Sequence, residues 1–412
     1  MQTQAAHTAH PNIGARLSIM MFLEFFVWGA WYVTIGNYMD ANKMGDSIAL
    51  AYSMAPIAAI ISPFFLGMVA DRFFATERIL GVLEILGGAA LLAAPFVGSN
   101  ADFLVAIVLV HSLCFMPTLG LTNTLAFHNM TDREKQFPLI RVFGTIGWIV
   151  ANIVVSVVLK ADTGVAQFYV AGGAAVLLGL YSFSLPHTPP PSAGQKASAR
   201  DILGVDALSM MKERSFAVFI ISSFLICIPL AAYYAYAPVF VKAMGSAAPA
   251  GQMSFGQMSE VFFMLVMPLF FARLGVKYML LAGMLAWVVR YGLFAAAAST
   301  GAFWMVLGGI ILHGMCYDFF FVTGQIYVDG KAPNAIRAQA QGFLVFVTQG
   351  IGMLIGAQVA GKLAKLYATS GPKGQQDWHM TWLIPCIAAA VIMVVFWALF
   401  REDTRNNGMA KA

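Results

Sequence analysis

The residues with chemical capacity are few, and they sit in apolar surroundings. Asp318 lies within His313-Gly-Met-Cys-Tyr-Asp-Phe-Phe-Phe-Val-Thr-Gly324, near the middle of an apolar run from about residue 302 to 326. A carboxylate at that depth in a bilayer costs at least ~2.5 kcal/mol, so it needs a compensating role. Glu24, Glu84, Glu260 and Arg290 also interrupt apolar runs, and Arg141 opens one. Gln257 and Glu260 are spaced i, i+3, and Arg141 and Thr145 i, i+4, so each pair shares a helix face. His313 and Tyr317 are also i, i+4, with Asp318 splayed one residue on. Glu260 and Asp318 come from different helices. Two carboxylates in a low-dielectric cavity repel, which suits one of them to hold a proton. A salt bridge, for example to Arg290, is the purely structural alternative. Arginine does not readily lose its charge. Arg141 therefore needs a carboxylate or a solute inside the membrane, or it snorkels to the interface.

Aromatic residues accompany these charges. Glu24 is one turn from Trp28 on the same helix face, an arrangement for contacting a planar or sugar-like solute or for holding a proton. A neutral carboxyl bonding between helices is the plain alternative. Trp148 follows Arg141-Val-Phe-Gly-Thr-Ile-Gly147, whose glycines offer a close-packing edge. Ile228-Pro-Leu-Ala-Ala-Tyr233-Tyr-Ala-Tyr-Ala-Pro238 combines two prolines, which loosen a helix, with three tyrosines. It reads equally as a moving gate and as a packing stripe. Cys114, Cys227, Cys316 and Cys386 are widely spaced in apolar runs, which suggests neither a zinc site nor a disulfide framework. His111 and His313 stand alone on their helices, and neither HExxH nor GxSxG occurs. The expectation is a non-enzyme with no cofactor, driven by H+ if ion-coupled.

The elements that must position these groups are spanning helices. Of 412 residues, 60% are hydrophobic and 10% charged, and the mean hydropathy is +0.76. Soluble domains carry roughly 25% charged residues. Twelve runs have spanning length: about 16–39, 47–70, 79–98, 102–126, 138–160, 165–185, 214–242, 252–273, 277–298, 301–326, 337–367 and 378–400. Unbroken apolar runs exclude an alternating barrel, leaving an all-α polytopic membrane protein. The first run is too long for a cleaved signal and lacks a cleavage site, so it reads as an uncleaved span. The proline-rich, polar stretch 186–213 is a linker. It divides the chain into a six-helix bundle over 1–185 and another over 214–412.

With the N-terminus inside, cytoplasmic segments hold seventeen of the Lys and Arg residues and outer segments six, with Arg290 left in the membrane. Both termini and the linker are therefore expected in the cytoplasm. The same distribution explains the net charge of +5 without nucleic acid. His111-Ser-Leu-Cys-Phe in the fourth span parallels His313-Gly-Met-Cys-Tyr in the tenth, and Ile140-Arg141 parallels Ile336-Arg337. Parallel halves with a site at the midplane are one transporter plan. A solute sensor without transport would need an output surface, and the short tails offer none.

Gly67-Met-Val-Ala-Asp71-Arg72-Phe-Phe-Ala-Thr-Glu77-Arg78 resembles the GxxxDRxGRR loop of the major facilitator superfamily, which assigns Asp71 and Arg72 to a gate latch. Phe22 to Trp31, Met116-Pro-Thr-Leu-Gly-Leu, Arg141-Val-Phe-Gly-Thr-Ile-Gly, Gln257-Met-Ser-Glu260, Trp287-Val-Val-Arg290 and Tyr317-Asp-Phe-Phe together resemble the bacterial nucleoside:proton symporter family of that superfamily. The resemblance covers nearly the whole chain. It implies a major facilitator fold of two six-helix halves and proton-driven nucleoside uptake across the bacterial inner membrane. By motif position, Arg141, Thr145, Gln257, Glu260 and Asp318 would contact the nucleoside or the proton. The base would stack on Trp28, Trp148, Tyr233 or Tyr317, and Asp318, Glu260 or Glu24 would bind the proton. The chain departs from the family at Leu230 and Tyr233, where amides are expected, at His313, where a tyrosine is expected, and at Glu24, where an amide is. These departures leave a sugar or another small polar solute as the alternative. The expected partners are the substrate and membrane lipid, with a monomeric protein.

Overall fold

The computed structural model describes residues 12–66, 73–131, 133–190, 205–333, 336–371 and 375–401. The apolar runs form helices: α1 (Ile13–Ala41), α2 (Gly45–Phe65), α3 (Thr76–Val97), α4 (Ala101–Asn129), α5 (Gln136–Val158), α6 (Ala166–Ser182), α7 (Arg214–Ala243), α10 (Phe303–Lys331), α11 (Gln339–Leu366) and α12 (Trp378–Leu399). Pro249–Thr300 is one long helical stretch broken at Gly275, whose φ of 66° and ψ of 179° suit glycine alone. Its two parts are α8 (249–274) and α9 (276–300). They form a hairpin against α10: Gly256 abuts His313, Gly283 abuts Phe320, and Arg290 reaches back to Gly309. Twelve helices with self-satisfied backbones are what the bilayer demands. Asn100 caps α4 by accepting from the Phe103 amide at 3.1 Å, and Asp377 caps α12 through the Met380 amide at 3.0 Å.

Small residues let the helices approach closely, because lipid supplies no hydrophobic force between them. A Cβ on Gly147 of α5 would stand 2.1 Å from the Phe22 carbonyl of α1. In the second half of the chain, a Cβ on Gly356 of α11 would stand 2.8 Å from the Cys227 carbonyl of α7. The repeat seen in the sequence thus reappears as equivalent packing. It also governs the two histidines. His111 on α4 packs edge-on to Trp31 of α1, with centroids 5.2 Å apart, and His313 on α10 stacks on Tyr233 of α7 at 5.4 Å.

Not every span is regular. Wider π-type turns occur at Ile153–Val158 in α5, Asp318–Val322 in α10 and Phe346–Gly352 in α11. Such turns cluster at functional sites. By contrast, α7 runs unbroken through Pro229 and Pro238.

The two halves of the chain meet on the face opposite the one where α1 begins and α12 ends. There Asp162 accepts from the Ala250 amide at 3.0 Å and from the Ser156 hydroxyl at 2.6 Å, which ties the end of α5 to the start of α8. A second tie between the halves is made by Gln358 of α11, which donates to the Ser53 hydroxyl of α2 at 2.7 Å. On the start-of-α1 face, Glu77 holds the beginning of 186–213 by accepting from the Thr188 amide at 2.9 Å. Leu265, Trp304 and Val391 are more than half exposed, as lipid-facing side chains must be.

Candidate functional site

Between the halves, midway along the helices, lies a cavity of about 140 Å³. It is lined by Phe25, Trp28 and Tyr32 of α1; Arg141, Thr145 and Trp148 of α5; Tyr234 of α7; Gln257 and Glu260 of α8; His313 and Tyr317 of α10; and Gln349 and Met353 of α11. Helical periodicity accounts for this, as foreseen for Arg141 and Thr145, whereas on α1 Trp28 faces the cavity without Glu24. Arg141, Thr145 and Trp148 are successive turns of one face, as are Phe25, Trp28 and Tyr32.

One wall is aromatic. Trp28 and Trp148 meet edge to face at 5.4 Å, and Tyr32 bridges to Tyr234 at 6.1 Å. The indole N–H groups of Trp28 and Trp148 find no protein acceptor among the described residues, leaving two buried donors at the wall. The remaining wall is polar. The Arg141 guanidinium lies 4.1 Å over the Phe25 ring, a cation–π contact that holds it in the membrane. Gly144 leaves room for that stack, since a Cβ there would sit 2.7 Å from Arg141 Nη1. Arg141 and Glu260 attract each other across the cavity without closing to an ion pair. The backbone beside Glu260 is fixed by α10, where Gly314 donates to the Ser259 hydroxyl at 3.0 Å.

Of the residues singled out in the sequence, Arg141, Thr145, Gln257, Glu260, Tyr317, Trp28, Trp148 and His313 come together here. Three do not reach the cavity. Tyr233 is turned behind it, buried between His313 and Phe294 under the Arg290 guanidinium at 4.0 Å, and its neighbour Tyr234 takes the cavity wall. Asp318 is fully buried at the first residue of the wide turn in α10, with neither oxygen bonded among the described residues, and it interacts with Glu260. Glu24 points away into the first half, where its Oε1 lies 2.6 Å from the Thr118 hydroxyl. Asp71 and Arg72 lie outside the described residues. Arg290 pairs with neither acid. Its Nε donates to the Gly309 carbonyl at 3.0 Å.

Sequence reasoning missed Phe25, Tyr32, Tyr234, Gln349 and Met353. Gln349 had a usable signal, an amide in the centre of an apolar run. The others did not, because an aromatic or Met in a span is ordinary.

Twelve spanning helices around a mid-depth polar and aromatic cavity define a secondary transporter of the major facilitator fold. The profile of the nucleoside H+ symporter family matches residues 11–405, and the chain belongs to that family. It is 39% identical over 402 residues to the putative nucleoside transporter YegT of Escherichia coli (strain K12), covering 94% of each chain. It is 33% identical over 409 residues to the nucleoside permease NupG of the same organism, covering 95% of this chain and 96% of that one. The crystal structure of the nucleoside transporter NupG superposes with a TM-score of 0.85 at 31% identity, over 95% of this chain and 100% of that one. A D-xylose-proton symporter structure matches at a TM-score of 0.72 and 14% identity, over 94% of this chain and 98% of that one, a likeness of fold alone. The chain is an integral membrane transporter for proton-coupled nucleoside uptake, and it is not an enzyme.

Proposed function

We propose that the nucleoside occupies the cavity between α1, α5, α7, α8, α10 and α11. The observation that carries this is the division of the cavity into an aromatic wall and a polar one. The base stacks among Trp28, Trp148, Tyr234 and Tyr317. The ribose and the polar edges of the base are held by Arg141, Thr145, Gln257, Glu260 and Gln349, with His313 beside them. The two unpartnered indole N–H groups await acceptors on the solute. At about 140 Å³ the cavity is below the roughly 300–1,000 Å³ usual for ligand sites, so seating a nucleoside requires the halves to part.

The bundles 1–185 and 214–412 rock about this site, joined by 186–213. Asp71 and Arg72 latch the face that bears the termini. Protons supply the driving force and no cofactor takes part. Asp318, Glu260 and Glu24 are the acids that bind them. The surplus of Lys and Arg in segments on the termini side supports a cytoplasmic location for both termini and insertion of a monomer in the bacterial inner membrane.

The test is accumulation of labelled uridine or adenosine by proteoliposomes under an inward proton gradient. Concentrative uptake that collapses with the gradient supports the reading. Folded protein that accumulates neither nucleoside overturns it.

A further inference from the structure

The second half of the chain brings Glu260 and Asp318 close together, and the first half has a carboxyl pair of its own. Glu24 of α1 and Glu84 of α3 are 0% and 2% exposed. They interact electrostatically with each other, and the hydroxyl of Thr118 on α4 lies 2.6 Å from Glu24 Oε1. Neither lines the cavity. Glu24 Oε2 and Glu84 Oε1 find no hydrogen-bond partner among the described residues.

The hydrogen count around Thr118 is informative. Its hydroxyl oxygen is 2.5 Å from the Phe115 carbonyl and 2.6 Å from Glu24 Oε1. Both are hydrogen-bond distances, and a carbonyl can only accept. The threonine has one hydrogen. If it donates to Phe115, the contact with Glu24 requires a hydrogen on the carboxyl, donated to the threonine oxygen. Two adjacent carboxylates sealed from water would also not both remain ionised. A proton on one acid satisfies both constraints.

We propose that Glu24, Glu84 and Thr118 form a proton-binding site in the first six spans, separate from the nucleoside cavity, in which the two acids share one proton. This deepens the assignment of Glu24 to proton binding and rests on it. The other titratable groups facing the pair are Arg141 from α5 and Cys114 from α4. His111 of α4 lies one turn from Glu84, with Nδ1 3.1 Å from the Gly87 carbonyl. The α6 hydroxyl of Tyr181 is engaged elsewhere, with the Arg16 carbonyl. Arg141 interacts with Glu24 on one side and with Glu260 on the other. It therefore links this proton to the cavity: a solute that engages the guanidinium changes the charge that Glu24 faces.

The test combines infrared spectroscopy with transport on the full-length protein. Purified wild type should show a buried protonated-carboxyl carbonyl band, and E24Q and E84Q should each remove that same band. Both variants should lose concentrative uptake under a proton gradient while still exchanging labelled for unlabelled nucleoside. Thermal stabilisation by nucleoside checks that they fold. Should the Gln variants not fold, Thr118→Val decides. Loss of the hydroxyl must displace the pH midpoint of uptake with nucleoside affinity unchanged, and an unmoved midpoint overturns the site. Two bands lost independently, or an effect of E24Q with none of E84Q, overturns the sharing of one proton. If D318N abolishes accumulation while E24Q and E84Q keep it, coupling through the second half stands and the first-half site falls.

Discussion

Arg141 is held in the membrane by the Phe25 ring and by attraction to Glu260 and Glu24, and among the described residues its N–H groups carry no hydrogen bond, which leaves them for a solute. Arg141→Gln puts an amide donor in place of the guanidinium and removes the charge. A hydrogen bond to a charged group contributes about 1.5–3 kcal/mol, so kcat/KM for nucleoside uptake should fall roughly tenfold to hundredfold. Unchanged kinetics would remove Arg141 from the binding site. Asp318 has a different expected signature, because it is buried behind the wall rather than in it. Asp318→Asn should abolish accumulation against a gradient while leaving some nucleoside exchange. Proton-coupled accumulation at the wild-type level would clear Asp318 of the coupling role. At this scale the sequence marked Arg141, Thr145, Gln257 and Glu260 of the cavity wall, because a polar group in an apolar run is costly and conspicuous, but it did not separate them from Asp318 and Glu24, which lie outside the wall. It was a poor guide to aromatics. Tyr233 and Tyr234 are adjacent and chemically identical, and only the rotation of α7 decides which one meets the cavity.

Elements are positioned by close backbone contacts, and glycines mark where substitution is costly. A methyl at Gly147 would meet the Phe22 carbonyl at 2.1 Å, so Gly147→Ala must force α1 and α5 apart. Overpacking of this kind costs about 1–3 kcal/mol. Because the same two helices carry Phe25, Trp28, Arg141 and Thr145, a lower Tm should come with weaker nucleoside binding. A methyl at Gly173 on α6 would meet nothing within 4 Å, so Gly173→Ala should leave Tm level or slightly raised. Equal losses at the two positions would show that the α1–α5 contact is not what orders the site. The number and limits of the helices were legible from hydropathy, including the break at Gly275 between α8 and α9. The wide turn that opens at Asp318 was not. A π-type turn depends on what packs against the helix, and the run Phe319-Phe-Phe321 gives no local sign of it.

For the molecule as a whole, the question is what holds one face shut while the other exchanges solute. Asp162 crosses between the halves: it accepts from Ser156 beside it and from Ala250 at the start of α8. The six-plus-six division could be read from the linker and the repeat, but this tie could not, because it joins residues 88 apart through a backbone amide. Breaking a buried contact of this type costs about 1–3 kcal/mol, enough to raise the open population roughly tenfold. Asp162→Ala should therefore speed thiol labelling of Met353→Cys, a cavity position, by a reagent confined to the face where α5 ends. The wild-type tie should also respond to pH. Burial pushes the Asp162 carboxyl above the ordinary aspartate range, and the hydrogen bonds from Ser156 and Ala250 only partly offset this. The closed arrangement thus binds a proton more readily than an open one in which Asp162 meets water. Its contribution is full below the ordinary value of about 3.9 and is lost as pH rises through the raised value. Labelling of Met353→Cys should accordingly quicken as that face is brought from acidic toward neutral pH, and Asp162→Asn should flatten the response. A pH dependence that survives in the Asn variant would place the sensor elsewhere, and labelling unaffected by Asp162→Ala would show that the contact does not keep this face closed.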